Sequence, residues 1–226
     1  LISGEPGTGR SAFARYMHGL SRRGDEPLTV VTSASITDAN CEEQLLGSEQ
    51  DDEAIAGAFE RASGGTLVID DFGRQRVSPT DILNRWIVPL ERREDFLTLP
   101  NGRQIKVPFQ QTLVLATNLE PTSLVDEAFL RRIPYKIELP DPTDQAFHTV
   151  FMETAEKMDL QVEGDSFEYL IETCYKSTGM PARYCHARDL LFQIANLCEL
   201  HRAPRVVTRE TLDIVIRNYF AGESQA

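Results

Sequence analysis

Five residues near the start of the chain have the types and spacing that bind phosphate. Gly4, Gly7 and Gly9 precede Arg10 and Ser11 in the run GEPGTGRS. Glycine allows backbone conformations that turn successive N–H groups into one concavity, where they can bind an anion. A basic side chain and a hydroxyl at the end of this pattern are typical of a loop that holds nucleotide phosphates and Mg²⁺. A glycine-rich loop without a ligand is the alternative interpretation.

Polar side chains also end two apolar strands predicted further along the chain. Asp70 and Asp71 close the run TLVIDD, and Asn118 follows TLVLAT. The carboxyl ends of parallel strands are where ligands bind in open α/β sheets. We expect Asp70 to take Mg²⁺, Asp71 to orient an attacking water, and Asn118 to hold water or the terminal phosphate. The alternatives are a helix cap for the two aspartates and a simple turn for the asparagine.

Four arginines complete the candidate chemistry. Arg131 and Arg132 end a short amphipathic segment predicted as a helix over 125–133. Paired arginines of this kind are usually solvated, but they can also reach the phosphate of a neighbouring subunit. Arg183 and Arg188 lie in the C-terminal part, and either could reach back toward the first domain.

The elements that must position these residues fall into two parts. In the first part, strands are predicted at 28–32, 66–71, 112–117 and 135–139, helices at 11–23, 38–47, 54–62 and 79–90, and a hairpin at 96–107 around Asn101-Gly102. From Thr143 helical periodicity prevails, over 144–158, 166–176, 187–201 and 208–220, with Asp144, Ser166 and Thr208 as caps and a short extended piece over 205–208 before the last helix. We therefore predict an α/β domain at 1–142 and a helical domain at 143–226.

Composition limits the classes of protein to which the chain can belong. It has 226 residues, 41% of them hydrophobic, and a formal net charge of −12. The negative charge argues against a large nucleic-acid footprint, and no apolar run approaches membrane-spanning length. Four cysteines without a C-x-x-C pair predict a reducing, cytoplasmic location. Because the first residues already belong to a strand, we expect the sequence to be a piece of a longer chain.

Taken together, the motifs resemble those of the AAA+ ATPases over nearly the whole chain. GEPGTGRS is similar to Walker A, LVIDD to Walker B, ATN to sensor 1, DEAFLRRIPYKI to the arginine-finger helix and its following strand, and CHARDLL to sensor 2. The resemblance implies a five-stranded parallel αβα P-loop NTPase domain followed by a helical lid, with ATP and Mg²⁺ at their junction. It implies Ser11 and Asp70 as metal ligands and Asp71, Asn118, Arg131 and Arg132 as catalytic residues. The residues implied to contact nucleotide are Glu5, Pro6, Gly7, Thr8, Gly9, Arg10, Ser11, Ala12 and Arg188, the last favoured over Arg183.

Within the superfamily, the N-terminal half most resembles the bacterial sigma-54 activators, and the long hairpin resembles MoxR-type relatives. The activators carry a GAFTGA loop, whereas residues 50–57 here read QDDEAIAG. Arg10 replaces the usual lysine and Asp71 the usual glutamate. The resemblance thus predicts a homo-oligomeric ring, for which it suggests six subunits. The ring would hydrolyse ATP to remodel an unidentified protein partner. The alternatives are a nucleotide-gated assembly module with little or slow hydrolysis and a sigma-54-type transcription activator.

Overall fold

The computed structural model describes residues 1–50, 53–98, 104–124 and 127–221, and these form two compact units. The first unit contains Leu1–Gly4 and Arg10–Leu139. The second contains Glu5–Gly9 and the residues from Pro140 onward. The units thus divide at Leu139 and Pro140, and the predicted domain division at 142 and 143 stays a prediction. Among the described residues, no helix is both long and apolar enough to cross a membrane.

The first unit alternates strands and helices, as the sequence predicts for an α/β domain. Its elements are β1 (Ile2–Ser3), α1 (Arg10–Leu20), β2 (Leu28–Thr32), α2 (Cys41–Leu46), β3 (Gly47–Gln50), β4 (Glu53–Ala56), α3 (Ala58–Arg61), β5 (Thr66–Asp70), α4 (Pro79–Arg92), β6 (Glu94–Thr98), β7 (Gln104–Pro108), β8 (Thr112–Thr117), α5 (Pro121–Leu124), α6 (Glu127–Leu130) and β9 (Ile137–Glu138).

Five of these strands form one parallel sheet in the order β2-β5-β8-β1-β9. This confirms the predicted five-stranded parallel fold. Strand β5, an interior strand of this sheet, is buried at Leu67, Val68 and Ile69, because a parallel sheet is covered on both faces. Since β5 and β1 both pair with β8, the carboxyl ends of these three strands meet at one edge of the sheet. The candidate residues that follow them are therefore brought close together.

The helix predicted over 54–62 is wrong in its first part. Residues Glu53–Ala56 form strand β4, which pairs antiparallel with β3, and only Ala58–Arg61 are helical. Glycine at the base of the hairpin permits the close approach, because a Cβ on Gly57 would lie 2.3 Å from the Gly47 nitrogen. The alternation of EAIA fits a strand as well as a helix end, so the local pattern could not separate them.

The later predictions for this unit hold in outline. Strands β6 and β7 pair antiparallel and confirm the predicted hairpin, although its turn residues Asn101 and Gly102 lie outside the described residues. The predicted helix over 125–133 is helical at Glu127–Leu130, and Val125 and Asp126 are likewise not described. The last strand covers only Ile137–Glu138 of the predicted 135–139.

The second unit is helical around an aromatic core. Its elements are α7 (Asp144–Lys157), β10 (Gln161–Val162), α8 (Ser166–Leu170), α9 (Tyr184–His201), β11 (Val206–Val207) and α10 (Arg209–Tyr219), and a π-helical segment, Ile171–Lys176, continues α8. Phe147, Phe151 and Phe167 pack against one another at the centre. Strand β11 lies within the extended piece predicted over 205–208, whereas strand β10 and its parallel pairing with β11 are not predicted from the sequence.

The predicted helix caps of this unit have mixed outcomes. Thr208 caps α10, because its side chain accepts a hydrogen bond from the N–H of Thr211. At α7 the cap is Thr143 and not the predicted Asp144. Ser166 lies inside α8, which leaves Asp165 at the cap position. The true caps therefore lie one residue before the predicted ones at both sites.

Candidate functional site

A hydroxyl and a carboxylate meet at the carboxyl edge of the sheet. Ser11 lies in the first turn of α1, and its Oγ donates a 2.6 Å hydrogen bond to Oδ2 of Asp70, the last residue of β5. The other oxygen of Asp70, Oδ1, accepts from the Asp71 N–H at 3.1 Å. Mg²⁺ prefers a few protein oxygens together with water and substrate phosphates, so this donor set fits the ion.

Arg10 is engaged on both sides of its guanidinium. Its Nη1 donates to the Gly4 carbonyl at 2.7 Å, and its Nη2 lies 2.9 Å from Oδ1 of Asp71. The Arg10 side chain is only 10% exposed, whereas that of Asp71 is 42% exposed. The residue predicted to hold phosphate is therefore paired with the residue predicted to orient water. Sequence reasoning did not predict this pair.

The backbone of Asp71 favours the residue that is present. Its φ is 54°, in the left-handed region, which aspartate and asparagine enter far more readily than most other residues. The family resemblance would place glutamate at this position. The left-handed backbone and the short reach to Arg10 both suit the shorter carboxylate.

Asn118 follows β8 at the same edge, and its partner is a residue that sequence reasoning missed. Its Oδ1 accepts a 3.1 Å hydrogen bond from Nε of Arg74. Arg74 is exposed and lies in the turn that follows β5. Arg74 belongs to no motif in the sequence, so its contact with Asn118 in the structure is what identifies it.

The loop Glu5–Gly9 packs within the second unit. Thr8 is buried, and both its N–H and its hydroxyl bond the Glu5 carbonyl. The carbonyl of Gly7 accepts from the Cys185 N–H at 3.2 Å, at the start of α9. Gly7 has a φ of 87°, and a Cβ there would lie 2.4 Å from the Cys185 Sγ. A residue with a Cβ would be strained in this backbone conformation, and the Cys185 side chain would have to shift to make room for it. The other predicted contact residues are exposed or half-buried: Pro6, Gly9 and Ala12.

The two candidate sensor arginines have different surroundings. Arg183 is 18% exposed, forms an ion pair with Asp141, and has Nη2 3.8 Å from Oε2 of the loop residue Glu5. Arg188 is 71% exposed and pairs with its neighbour Asp189, whose hydrogen bond and charge raise the pKa of Arg188. Arg183 is thus held beside the loop and Arg188 pairs with its own neighbour in α9, while the predicted preference for Arg188 as the sensor stays a prediction.

A buried histidine lies beside Arg183. The Nδ1 of His186 accepts from the Arg183 N–H at 3.2 Å and lies 3.1 Å from the Tyr175 hydroxyl. Burial, followed by the positive charge of Arg183, lowers the pKa of His186 to about 4. The imidazole is therefore neutral at pH 7.

The arginines predicted to act on a neighbouring subunit lie after α6. Nη2 of Arg131, a 74% exposed side chain, lies 3.0 Å from Glu127 Oε1, and Arg132 Nε lies 2.6 Å from Glu91 Oε1. Within the single chain, Arg10 thus contacts Asp71 and Ser11 contacts Asp70, whereas the contacts of Arg131 and Arg132 given above are with Glu127 and Glu91.

Comparison with protein families divides the chain at nearly the same place as its two units. Residues 1–140 match the sigma-54 interaction domain, and residues 143–218 match a domain of unknown function, DUF8689. The sigma54-dependent transcriptional regulator SfnR of Pseudomonas fluorescens (strain Pf0-1) is 31% identical over 140 residues, which are 60% of this chain and 36% of SfnR. The transcriptional regulator NtrC of Rhizobium meliloti (strain 1021) is 27% identical over 96% of this chain and 46% of NtrC. The chain therefore spans less than half of either relative.

Solved structures share the fold. NtrX from Brucella abortus in complex with ATP has a TM-score of 0.73 and 19% identity, covering 95% of this chain and 51% of that one. The Thermotoga maritima RuvB Holliday junction branch migration motor has a TM-score of 0.64 and 15% identity, covering 96% of this chain and 60% of that one. At these identities the likeness concerns the fold alone.

Proposed function

The chain belongs to the sigma-54 interaction domain family of AAA+ P-loop proteins, and on this premise we propose that it binds ATP with Mg²⁺ and hydrolyses it. The observation that carries the proposal is the 2.6 Å contact between Ser11 and Asp70 at the end of a glycine-rich loop. The N-terminus of α1 begins at Arg10, where its dipole favours an anion. The oxygens of Ser11 and Asp70, which can bind a cation, thus accompany a helix N-terminus that can bind an anion. This arrangement suits a phosphate bound to a metal ion.

Each residue then has a defined role. The N–H groups of the loop Glu5–Gly9 and the guanidinium of Arg10 would hold the phosphates. Mg²⁺ would be held by Ser11 and Asp70, and when bound it would neutralise charge on the phosphate oxygens. Asp71 would orient the attacking water. The loop contact with Arg183 supports that residue over Arg188 as the nucleotide sensor of the helical unit.

We further propose that the site is completed by a second copy of the chain. Exposed Arg131 and its neighbour Arg132 would stabilise transition-state charge in the adjacent subunit of a ring, which is worth roughly 10³-fold or more in phosphoryl transfer. The names of the relatives make a sigma-54-dependent transcription complex one candidate for the remodelled partner. Another protein partner remains the alternative, because residues 50–57 lack the Phe-Thr tip of the activator loop.

The second candidate function is a nucleotide-gated assembly module that hydrolyses little ATP. The contact between Arg10 and Asp71 favours it, because this pair occupies both the phosphate-binding cation and the water-orienting carboxylate. In this alternative, nucleotide binding controls assembly and turnover stays slow.

Two measurements test the proposal. Phosphate release per subunit should rise with protein concentration if neighbouring subunits complete the site, whereas an assembly module should bind nucleotide and release almost no phosphate. The second measurement mixes two inactive variants, Asp71→Asn and a double variant with Arg131→Ala and Arg132→Ala. Some interfaces in the mixture then pair an intact carboxylate with intact arginines, so activity should return. Sedimentation must show that the variants co-assemble. Co-assembly without recovered activity would contradict the shared site.

A further inference from the structure

A second cation lies at the edge of the sheet and is held differently from Arg10. Arg74 donates from Nε to Asn118 Oδ1 at 3.1 Å, and its side chain is exposed. Among the described residues, no carboxylate lies within ion-pair distance of Arg74, whereas Arg10 is paired with Asp71. The forked Nη1 and Nη2 end of Arg74 therefore keeps its charge available for a ligand.

The turn that carries Arg74 is fixed by the backbone. The Arg74 N–H bonds the Asp71 carbonyl at 3.0 Å, and the Phe72 N–H bonds the Ala116 carbonyl of β8 at 2.7 Å. Gly73 has a φ of 103°, and a Cβ there would lie 2.4 Å from Leu124 Cδ2. The turn is thus tied to the neighbouring strand and packed against α5. Arg74 therefore starts from a rigid position, which lowers the entropy lost when it contacts a ligand.

The contact with Asn118 also sets the direction of its amide. Because Oδ1 accepts from Arg74, the Nδ2 group presents hydrogen-bond donors on the other side of the carboxamide. An Asn118 donor and an Arg74 fork at the end of β5 and β8 match an oxyanion with several oxygens. A guanidinium binds phosphate through two parallel hydrogen bonds.

We propose that Arg74 makes the site selective for a nucleoside triphosphate over the diphosphate. Its Nε orients the amide of Asn118, and its Nη groups bind oxygens of the terminal phosphate within the same chain. This inference rests on the proposed ATP site. It adds Arg74 as a residue that binds the terminal phosphate, separate from the loop and from the arginines of a neighbouring subunit. A diphosphate has no group at this position, so its binding should not depend on Arg74.

The experiment compares two ligands in four proteins. Displacement of a fluorescent nucleotide gives the Kd of Mg²⁺ with a non-hydrolysable ATP analogue and the Kd of Mg²⁺ with ADP, for the parent, Arg74→Ala, Arg74→Lys and Arg76→Ala. Arg76 is the matched control, because it is an exposed arginine in the same segment and its removal changes the net charge equally. Thermal unfolding of each variant checks the fold, and Arg74→Gln replaces Arg74→Ala if the latter does not fold.

Arg74→Ala should raise the Kd of the ATP analogue about tenfold or more, the loss expected for charge-assisted hydrogen bonds, and change the Kd of ADP by less than about twofold. Arg74→Lys should fall between parent and alanine, because an ammonium keeps the charge without the fork. Arg76→Ala should change neither Kd. Equal effects on both ligands, no effect on either, or the same effect from Arg76→Ala would overturn the inference while leaving the ATP site intact. A parent that binds neither ligand would overturn the proposed function and this inference with it.

Discussion

Replacing Asp71 by asparagine should tighten nucleotide binding while abolishing turnover. In the structure the Asp71 carboxylate accepts a 2.9 Å hydrogen bond from Nη2 of Arg10. A phosphate that binds Arg10 must compete with this carboxylate. Asparagine removes the charge but keeps the shape, and it tolerates the left-handed φ of 54° at this position. The substitution therefore changes the competition without a new backbone strain.

The expected gain is modest because the pair is partly screened. Arg10 is 10% exposed but Asp71 is 42% exposed, and a single nitrogen makes the contact. Pairs with this much solvent contribute on the order of 1 kcal/mol or less. Releasing Arg10 should therefore lower the Kd of ADP by up to about fivefold, because each 1.4 kcal/mol corresponds to a factor of ten.

The assay is a fluorescence titration with labelled ADP, run as a double-mutant cycle. The four proteins are the parent, Asp71→Asn, Arg10→Ala and the double variant. Removing any nearby negative charge also reduces the repulsion of phosphate. The variant Glu120→Gln, which neutralises an exposed carboxylate just after β8, measures that general effect. We expect Asp71→Asn to lower the Kd of ADP by this factor when Arg10 is present, and hardly at all when residue 10 is already alanine.

Two results would refute the reasoning. The same gain in the Arg10→Ala background would show that Asp71 acts only by its charge and not by holding Arg10. Weaker binding by Asp71→Asn would show that the carboxylate itself contributes to holding the nucleotide or its metal.

Three other predictions concern the metal ligand Ser11, the loop residue Gly7 and the buried His186. Ser11→Ala should weaken Mg²⁺-ATP more than metal-free ATP, because it removes a metal ligand; equal changes in the two titrations would contradict the metal assignment. Gly7→Ala should lower nucleotide affinity at least tenfold and reduce the melting temperature, because its Cβ would lie 2.4 Å from Cys185 Sγ at a left-handed φ; an unchanged Kd would contradict it. The free energy of unfolding should rise by up to roughly 3 kcal/mol from pH 4 to pH 6.5, because the folded pKa of His186, about 4, lies below the unfolded value of 6.5 and the unfolded chain binds the extra proton in this window. Denaturant unfolding at both pH values measures the slope, and His186→Gln should flatten it.

The local motifs and the parallel sheet were accessible from the sequence. The glycine-rich loop, the Asp70-Asp71 strand end and Asn118 are each encoded in a short segment. Once the strands pair in parallel, their carboxyl ends lie at the same edge of the sheet, because neighbouring strands run in the same direction. The residues around Ser11 and Asp70 were therefore predictable as a group.

The remaining features depend on side-chain contacts between distant segments. Arg10 and Asp71 are 61 positions apart, and their contact depends on the turn after β5 and on the left-handed backbone of Asp71. Arg74 carries no motif of its own, and only the position of Asn118 gives it a role. The strand Glu53–Ala56 was missed because its pairing with β3 overrides a pattern that also fits a helix.

The contact between Arg10 and Asp71 also has an evolutionary consequence. These are the two positions at which the chain departs from the usual Walker sequences, and the two replacements touch each other. Lysine in place of Arg10 would offer one ammonium group where the guanidinium contacts both the Gly4 carbonyl and Asp71. Glutamate in place of Asp71 would put a longer side chain on a left-handed backbone. Each single substitution should therefore lose the present contact, so we expect related sequences that have this arginine to have this aspartate as well.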